Sequence, residues 1–503
     1  MNTTIFSATP IGINSHLVNV EIDITSFEKG FFIVGMPDAG IRESRKRIQT
    51  ALKNSAITLP ECCITVNLAP ANLKKEGSLF DLPIAVGILQ SLAVISMTKK
   101  FIKETLFIGE LSLDGTIKSI NGALAISSDA INLHKKRIIV PAENAYEAAL
   151  IENVEVIGVS SLRELIAYIK NHETITPCAT KYTDYLQEIV YDVDFSDVKG
   201  QKHAKRVMQI AAAGRHNILF SGPPGSGKTM LAKRLPTIMP DMTFQEIVDT
   251  TKIYSVSGKL GNKPLIVNRP FQSPHHASSL SSLIGGGSVP RPGEISLAHN
   301  GILFLDEFVE FRRDVIESLR QPMESNKSDI SRANYSVSYP ANFLLIAAYN
   351  PCPCGYLGDT KTVCVCSKID IQKYAAKLSG PIVDRIDLKA TVNAVTYEES
   401  QMIHVNDVTS TDYLKEGVIK AVNMQRNRFG SQRYNSSMST QEVEMYCKLT
   451  DAAQERLKIA FDVLNLSMRG YHKVLKVART IADIDESELI DVKHIQEAII
   501  YKS

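Results

Sequence analysis

The sequence predicts an α/β chain in three parts, and three patterns lead to that prediction. Residues 1–172 mix short β-rich runs with amphipathic helices, as an α+β domain does. Residues 195–395 alternate apolar strands with helical patterns, which is typical of a parallel sheet covered by helices. From residue 396 to residue 503 the pattern is helical throughout. Residues 173–194 have weak periodicity and many polar side chains, so we interpret them as a linker.

Length and composition are those of an ordinary globular protein. A chain of 503 residues predicts about three domains. Hydrophobic residues make up 44% and charged residues 22%, which argues against disorder. The 56 basic and 54 acidic residues nearly cancel, so any surface that binds nucleic acid must be local. Tryptophan is absent, which argues against a carbohydrate-stacking platform or a membrane-interface belt.

The apolar segments predict a cytoplasmic protein without a membrane partner. The first twelve residues lack the basic and then apolar pattern of a secretory signal. The most apolar stretch, residues 82–97, includes Pro83 and Gly87 and is shorter than the roughly 18–20 residues of a spanning helix. We expect a buried helix there. The eight cysteines are too few for a disulfide scaffold.

The first part of the chain contains three runs that predict strands and one segment that predicts a helix. The strands are expected at residues 31–34, 64–66 and 138–140. Residues 41–54 have helical periodicity with charges on one face, and Asp38 precedes them as a candidate cap.

Residues 222–229 fit the phosphate-loop pattern G-x-x-x-x-G-K-[ST] in full. They are Gly222, Pro223, Pro224, Gly225, Ser226, Gly227, Lys228 and Thr229. A predicted strand precedes them and a predicted helix follows, so backbone N–H groups and a helix N-terminus would face the phosphates. Lys228 would contact the β- and γ-phosphates and Thr229 would hold Mg²⁺. The sequence therefore predicts ATP and Mg²⁺ as cofactors, a chance glycine-rich turn being the alternative.

Two further apolar runs end in polar residues. Residues 302–305 predict a buried parallel strand that ends at Asp306 and Glu307. Asp306 can bind the water shell of Mg²⁺, and Glu307 can polarise the attacking water. Residues 343–348 predict a strand that ends near Asn350, which can hold that water; a turn asparagine before a proline is the alternative.

Half of the cysteines cluster in one loop. Cys352-x-Cys354 is followed, after nine residues, by Cys364-x-Cys366. Four thiolates on two arms of a loop suit a tetrahedral structural Zn²⁺. We predict a zinc site here. Because the C-x-C spacing is tighter than is usual for zinc, incidental cysteines or a redox pair remain as alternatives.

Taken together, these segments resemble an AAA+ ATPase of the magnesium-chelatase-like YifB/ComM family. The resemblance extends over essentially the whole chain and includes FFIVGMPDAGIRESRKRI, SGPPGSGKTMLAKRLPTIMP, RPFQSPHHASSLSSLIGGG and MRGYHKVLKVARTIAD. It implies a Lon-type domain of the ribosomal-protein-S5-like class at 1–172. It further implies an AAA+ core at 195–395 and a helical lid at 396–503.

The resemblance also implies a ring, usually a hexamer, with nucleotide bound between neighbouring subunits. Arg385 matches the arginine finger of the family, and Arg469 matches its sensor-2 arginine. Asn350 matches sensor 1, while Val198 and Gly200 lie where such proteins contact the adenine. A cation supplied to the transferring phosphate would stabilise charge on its oxygens.

The partner that the resemblance implies is DNA, single-stranded or branched, handled by a branch-migration helicase in recombination and natural transformation. Two segments are candidates for DNA contact in a central pore. One is His275-His276 with the glycine loop 285–287, and the other is a predicted hairpin at 328–340 that carries Arg332. For each segment a purely structural loop is the alternative, since no dense Lys/Arg run is present.

A Lon-type protease needs a serine nucleophile that a lysine amine activates. Lys136 falls near the lysine position of the family. The nucleophile position falls among Leu79, Phe80 and Asp81, and Ser78 is displaced from it. We therefore expect a domain that binds but does not cleave.

The favoured prediction is a ring-forming ATP-dependent DNA motor, and three alternatives stay open. The first is a motor subunit of a chelatase that inserts metal into a porphyrin. The second is an ATP-dependent protease or protein remodeller, and the third is a nucleotide-gated scaffold without catalysis. The missing dyad serine argues against the protease, and the set of Glu307, Arg385 and Arg469 argues against the scaffold.

Overall fold

The computed structural model describes residues 2–26, 29–75, 77–186, 191–261, 263–287, 289–332, 335–359, 361–378, 380–395 and 410–502. The fold is mixed α/β, with parallel sheets followed by a helical C-terminal region, which confirms the predicted fold class. The helical pattern predicted for residues 396–409 lies outside the described residues.

The chain begins with a four-stranded sheet in the order β1-β2-β4-β3. Its elements are β1 (Asn2–Ile11), β2 (Asn14–Thr25), β3 (Gly30–Val34), α1 (Ala39–Asn54), β4 (Cys63–Ala69) and α2 (Asp81–Ser91). Alternate residues of β4 are buried, so one face of the sheet forms the core under α1 and α2. The carboxylate of Asp38 accepts a hydrogen bond of 2.8 Å from the backbone N–H of Ile41, as expected of a helix cap.

A three-stranded parallel sheet, β5-β8-β9, and a short hairpin, β6-β7, complete this first region. The elements are α3 (Lys99–Glu104), β5 (Thr105–Phe107), β6 (Glu110–Leu111), β7 (Ile117–Lys118), α4 (Ala123–Ala130), β8 (Arg137–Pro141), α5 (Ala145–Ala148), β9 (Glu155–Val159), α6 (Leu162–Ile169) and α7 (Thr183–Leu186). The two sheets share one hydrophobic core.

Helix α7 lies within residues 173–194, which the sequence predicts to be a linker. Tyr182, Tyr185 and Leu186 pack against a cluster that includes Met242 and Leu265 of the next region. The described part of this segment is therefore held against its neighbour by apolar contacts, which its polar composition did not predict.

The central region is built on a five-stranded parallel sheet in the order β11-β14-β17-β10-β18. Its first elements are α8 (Lys202–Gly214), β10 (Ile218–Ser221), α9 (Lys228–Ile238), α10 (Phe244–Ser257), β11 (Phe271–Gln272), α11 (Leu280–Ile284), β12 (Gly285–Gly286), β13 (Arg291–Pro292), α12 (Glu294–Leu297) and β14 (Ile302–Leu305). They are followed by α13 (Arg313–Glu317), α14 (Arg320–Ser325), β15 (Lys327–Arg332), β16 (Tyr335–Pro340), β17 (Leu344–Tyr349), α15 (Lys368–Ala375), α16 (Gly380–Val383) and β18 (Leu388–Thr391). Because the strands are parallel, the loops after β10, β14 and β17 emerge at one edge, where such sheets bind ligands.

Two small hairpins project from this sheet, β12-β13 and β15-β16. The second confirms the hairpin predicted at 328–340. Val337 of this hairpin packs against the turn between β1 and β2, where a Cβ atom on Gly12 would lie 2.4 Å from Cγ1 of Val337. Gly12 also has a φ of +68°, so both the space and the backbone conformation favour glycine there. The first region thus contacts the hairpin that carries Arg332.

The C-terminal region consists of α17 (Thr411–Phe429), α18 (Thr440–Tyr446), α19 (Asp451–Val463), α20 (Met468–Ile484) and α21 (Val492–Ile500). Helices α17 and α20 pack on α8 and share its core. His216, in the loop after α8, bonds to Asp387 before β18 and to Thr480 of α20, at 3.1 and 2.9 Å. This buried contact fixes the helices against the sheet. Of the helices described, none is long and apolar enough to cross a membrane.

Candidate nucleotide site and metal centre

The amine of Lys228 lies inside the phosphate loop that the sequence predicted. Its Nζ donates to the carbonyl oxygens of Gly222 and Pro223, at 2.7 and 3.0 Å, and to Oδ1 of Asn350 at 3.3 Å. Burial lowers the pKa of Lys228, which Asp306 partly offsets. The amine thus contacts three oxygen acceptors, and phosphate oxygens are acceptors of the same kind with more charge.

The two predicted magnesium ligands lie together at the same edge. The hydroxyl of Thr229 donates to Oδ2 of Asp306 at 2.7 Å. The backbone N–H of Glu307 donates to Oδ1 of the same carboxylate at 2.9 Å. A hydroxyl and a carboxylate beside a phosphate loop are the hard oxygen ligands that Mg²⁺ takes, so these residues fit the ion.

Glu307 is held by a histidine that the sequence had assigned to DNA. Nδ1 of His276 lies 2.8 Å from Oε2 of Glu307, and the backbone of Glu307 is left-handed with a φ of +51°. His275 is instead exposed, and its ring accepts a hydrogen bond from the backbone N–H of Ala277. The two rings lie 4.1 Å apart between centroids, with His276 at the predicted catalytic carboxylate and His275 on the exposed side.

The segment before α8 lies beside the phosphate loop. Val198 is buried and Gly200 has a φ of +62°. The side-chain amide of the next residue, Gln201, donates to the backbone oxygen of Ser226 at 3.3 Å. Arg234 of α9 fixes the segment through an ion pair of 2.8 Å with Asp197. The sequence pattern did not identify Gln201 or Arg234, because neither belongs to a motif with a fixed spacing.

The two predicted arginines lie at the opposite edge of the sheet. Arg385 precedes the amino end of β18, and its backbone oxygen accepts a hydrogen bond from Asn217, which precedes β10. Its guanidinium pairs with Glu324 of α14, and Arg469 reaches the same carboxylate at 3.9 Å. Strands of four residues separate this edge from the phosphate loop by about 13 Å. The predicted arginine finger and sensor-2 residue therefore lie together, away from the phosphate loop of their own chain.

The four clustered cysteines converge as the spacing predicted. Their ligand atoms all lie within 4.8 Å of one another. The sulfurs of Cys352, Cys354 and Cys364 are separated by 3.4 to 3.6 Å, and the backbone N–H of Cys354 donates to Cys366 at 3.3 Å. Bonds of about 2.3 Å in a tetrahedral zinc site require sulfurs about 3.8 Å apart, so the four residues fit Zn²⁺.

Ionisation within this cluster is uneven. Hydrogen bonds from the backbones of Tyr356 and Val365 lower the pKa of Cys354 to about 6. A backbone hydrogen bond from Cys354 favours the Cys366 thiolate, yet burial and the neighbouring sulfurs raise the pKa of Cys366 to about 12. Four thiolates repel one another at this separation, and a divalent cation removes that repulsion.

The cysteine loop lies on the phosphate loop. Gly355 has a φ of +87°, and a Cβ atom there would lie 2.6 Å from Cδ of Pro224. The same Cβ would lie 3.8 Å from the side chain of Asn350. The sequence placed this loop after Asn350, but only the fold brings it against the nucleotide site.

The glycine loop and the hairpin that carries Arg332, the remaining candidates for DNA contact, lie against each other. A Cβ atom on Gly286 would lie 3.2 Å from a terminal nitrogen of Arg332, so the glycine loop and the β15-β16 hairpin form one surface. Arg291, which pairs with Gly286 in the short β12-β13 hairpin, is also exposed. Sequence analysis did not identify Arg291, although it lies next to the glycine loop in the same hairpin.

The residues predicted near a Lon-type catalytic dyad have other partners. The hydroxyl of Ser78 donates to Glu110. Lys136 lies at the surface and pairs with Glu104 at 3.0 Å. The predicted absence of a serine–lysine dyad stays a prediction, and these contacts agree with it.

Comparison with known proteins assigns the family. Family models described as magnesium chelatase subunit ChlI match residues 194–400, 20–144 and, for its C-terminal part, 408–502. The competence protein ComM of Haemophilus influenzae is 39% identical, over 99% of this chain and 97% of its own. The chain belongs to the YifB/ComM family of magnesium-chelatase-like proteins.

Other members and relatives agree with this assignment. The uncharacterized protein YifB of Escherichia coli is 37% identical over 98% of this chain and 95% of its own. The magnesium-chelatase 67 kDa subunit of Chlorobaculum parvum is 23% identical over 32% of this chain and 23% of its own. Membership in the YifB/ComM family places the chain among AAA+ ATPases, whose ligands are a nucleotide and Mg²⁺.

Proposed function

We propose that this chain is a ring-forming, ATP-dependent DNA motor that moves branched junctions during recombination in the cytoplasm. The observation that carries the proposal is the position of Arg385 and Arg469. Both lie at the edge of the sheet opposite the phosphate loop, and both contact Glu324. This arrangement supports the proposal because it leaves the phosphate loop at one edge and two arginines at the other, where they could serve a neighbouring subunit.

Two edges of this kind complement each other between copies of the chain. The phosphate loop, Asp306 and Glu307 of one subunit would hold ATP and Mg²⁺. Arg385 and Arg469 of the next subunit would reach the γ-phosphate and stabilise charge on its oxygens. Head-to-tail contacts of this type close into rings when the rotation closes, and we propose a hexamer.

Within one subunit, one continuous segment links the proposed nucleotide site to the proposed DNA surface. The segment after β11 carries His276 to Glu307 and then continues through α11 into Gly285 and Gly286. Arg332 lies against Gly286. DNA that contacts the glycine loop and Arg332 would shift this segment and move His276 off Glu307, so that hydrolysis responds to DNA.

We also propose that Cys352, Cys354, Cys364 and Cys366 hold a structural Zn²⁺. The support is the spacing of their sulfurs together with the contact of Gly355 with the phosphate loop. A closed zinc site takes four protein ligands and leaves no open position, so the ion would fix the loop and take no part in the reaction.

The test is movement of a synthetic three- or four-stranded DNA junction by the full chain with ATP and Mg²⁺. We expect strand exchange that requires ATP and is lost in Glu307→Gln. ATP hydrolysis without junction movement would contradict the proposal. In that case, stimulation of hydrolysis by a chelatase partner or by an unfolded protein would separate the metal-insertion alternative from the protein-remodelling one.

A further inference from the structure

Helix α1 carries a stripe of cations that no part of the proposed motor uses. Arg42, Arg45, Lys46 and Lys53 are all exposed, and Gln49 lies among them. At 3.6 residues per turn these five positions fall within an arc of about 100°. The acidic residue of the exposed surface, Glu43, lies on the flank of that arc. We call these five residues the α1 stripe.

Within the described residues, no cation of the α1 stripe forms an ion pair. Lys46 and Lys53 have no ion-pair partner within the described part of the chain. Arg42 and Arg45 donate only to the backbone oxygens of Asp38 and Phe31, both at 3.4 Å. Neutral acceptors leave the positive charge of a guanidinium uncompensated, so the stripe faces solvent with four net charges.

The helix that carries the stripe is rigidly held. Its opposite face buries Ile41, Ile48 and Leu52 in the core of the first region. Arg47, on the side of the helix, pairs with the buried Asp81 of α2 at 2.9 Å. A fifth exposed cation, Arg163, donates to the backbone oxygen of Asn54 and extends the positive surface past the end of the helix. The cations are therefore presented at fixed spacing and lose little backbone freedom when they bind.

We propose that the α1 stripe binds the phosphate backbone of double-stranded DNA. From Arg42 to Lys53 the stripe is about 16 Å long. That length corresponds to about five phosphates of one strand, at 3.4 Å of rise each. Four cations without an intervening anion are complementary to such a row of negative charge, and backbone contacts of this kind hold DNA without reading its sequence.

The α1 stripe is separate from the glycine loop and Arg332. Its assignment rests on the proposed function in one respect, namely that DNA is the partner. A stripe on the first region would hold the duplex arm of a junction while the motor acts on a strand. Contact between Gly12 and Val337 joins the first region to the hairpin that carries Arg332. The two regions that carry these surfaces are therefore in contact within one chain.

The experiment measures binding of the full chain to a labelled duplex, without nucleotide, over a range of salt concentrations. The variant is Lys46→Gln with Lys53→Gln, because these two exposed side chains form no ion pair with any residue that the structure describes. We expect affinity to fall at least about tenfold at 0.1 M salt. The slope of log K against log salt should decrease by about 2, one for each lost phosphate contact. A probe of unrelated sequence should give the same loss.

The matched control is Arg456→Gln with Lys458→Gln, which removes the same charge from the exposed face of α19. It should leave affinity and salt slope unchanged. Equal losses in both variants, or an unchanged slope in the first, would overturn the inference. Loss of oligomer assembly in the Lys46/Lys53 variant alone would assign the stripe to a subunit contact and overturn it as well. If the unmodified chain binds no duplex, the proposed DNA motor itself is contradicted. If the unmodified chain and the Lys46/Lys53 variant bind duplex equally well, only the role of the α1 stripe is contradicted.

Discussion

Nδ1 of His276 lies 2.8 Å from Oε2 of Glu307, the carboxylate that the sequence predicts to polarise the attacking water. A ring nitrogen this close to Oε2 restricts the carboxylate and occupies space that a water could otherwise take. His276 is followed along the chain by α11 and the glycine loop. The proposed coupling of DNA to hydrolysis requires that displacement of this loop moves the imidazole away from the predicted catalytic carboxylate.

Substitution of His276 by alanine removes its contact with Glu307. We expect His276→Ala to raise ATP hydrolysis in the absence of DNA by about two- to fivefold, which corresponds to one half-exposed ion-pair contact of about 0.5–1 kcal/mol. Stimulation by DNA should shrink by a similar factor. His275→Ala is the control for the ion pair, since the ring of His275 packs on that of His276 at 4.1 Å between centroids but forms no ion pair with Glu307 in the described part of the chain. Slower basal hydrolysis in His276→Ala would instead indicate that the imidazole holds Glu307 in its active position.

Glu307→Gln should bind ATP but hydrolyse it at least about a hundredfold more slowly. The amide cannot accept a proton from water, whereas the phosphate loop and the Thr229–Asp306 pair are unaffected. Nucleotide binding and phosphate release, measured on the same preparation, separate the two effects. Glu310→Gln is the control, because Glu310 is close in sequence but pairs with Lys377 at the surface. Normal turnover in Glu307→Gln would refute its assignment.

Arg385→Ala and Arg469→Ala should each assemble yet hydrolyse ATP poorly, with losses of about 10³-fold or more for Arg385. Each should regain activity when mixed with Lys228→Ala, which retains both arginines but lacks the phosphate-loop amine. Arg312→Ala is the control, as Arg312 pairs with Asp314 at the surface. Absence of complementation would contradict the action of these arginines across a subunit interface.

Metal content tests the cysteine cluster. Purified protein should contain about one Zn²⁺ per chain, and Cys364→Ser should lose most of it, because three thiolates make an open and weaker site. Since Gly355 contacts Pro224, the KM for ATP should rise in that variant more than kcat falls. Cys178→Ser lies outside the cluster and should retain the metal. Full metal content in Cys364→Ser would exclude this four-cysteine site.

The pH dependence of stability should contain a contribution from Glu147, a buried residue of α5. Burial raises the pKa of Glu147 from 4.5 to about 7, although Asn144 donates to its carboxylate at 2.6 Å. A raised carboxyl pKa means that the folded chain binds a proton which the unfolded chain releases. Below pH 4.5 Glu147 is protonated in both states and does not reduce the free energy of unfolding. Its ionisation lowers that free energy progressively between pH 4.5 and about 7, and the whole loss is present above that value.

Glu147→Gln removes this charge while its amide oxygen can still accept from Asn144. We expect the free energy of unfolding at pH 8 to increase by up to about 3 kcal/mol, and the slope between pH 5 and 7 to flatten. Urea unfolding at several pH values measures both. Glu143→Gln, on the same segment, is the control. A loss of stability at pH 8 would indicate that the charged form makes a favourable contact.

The phosphate loop was predictable because its chemistry is local. Glycines, Lys228 and Thr229 act within eight consecutive residues, and the strand before them fixes where they emerge. Asp306 and Glu307 were predictable for a related reason, since apolar strands of a parallel sheet end at a common edge. The cysteine cluster likewise lies within fifteen residues, and the hairpin that carries Arg332 formed where the pattern placed it.

The sequence by itself determined the fold class, the family, the phosphate loop and the cysteine cluster, whose members lie close together along the chain. Tertiary structure alone decided which distant residues meet: His276 with Glu307, Arg385 and Arg469 with Glu324, and the cysteine loop with Pro224. It also decided that Glu147 is buried, although glutamate is usually exposed. Periodicity and motif spacing report on neighbours along one element, whereas these contacts depend on the order of strands in the sheet and on how loops pack across its edges.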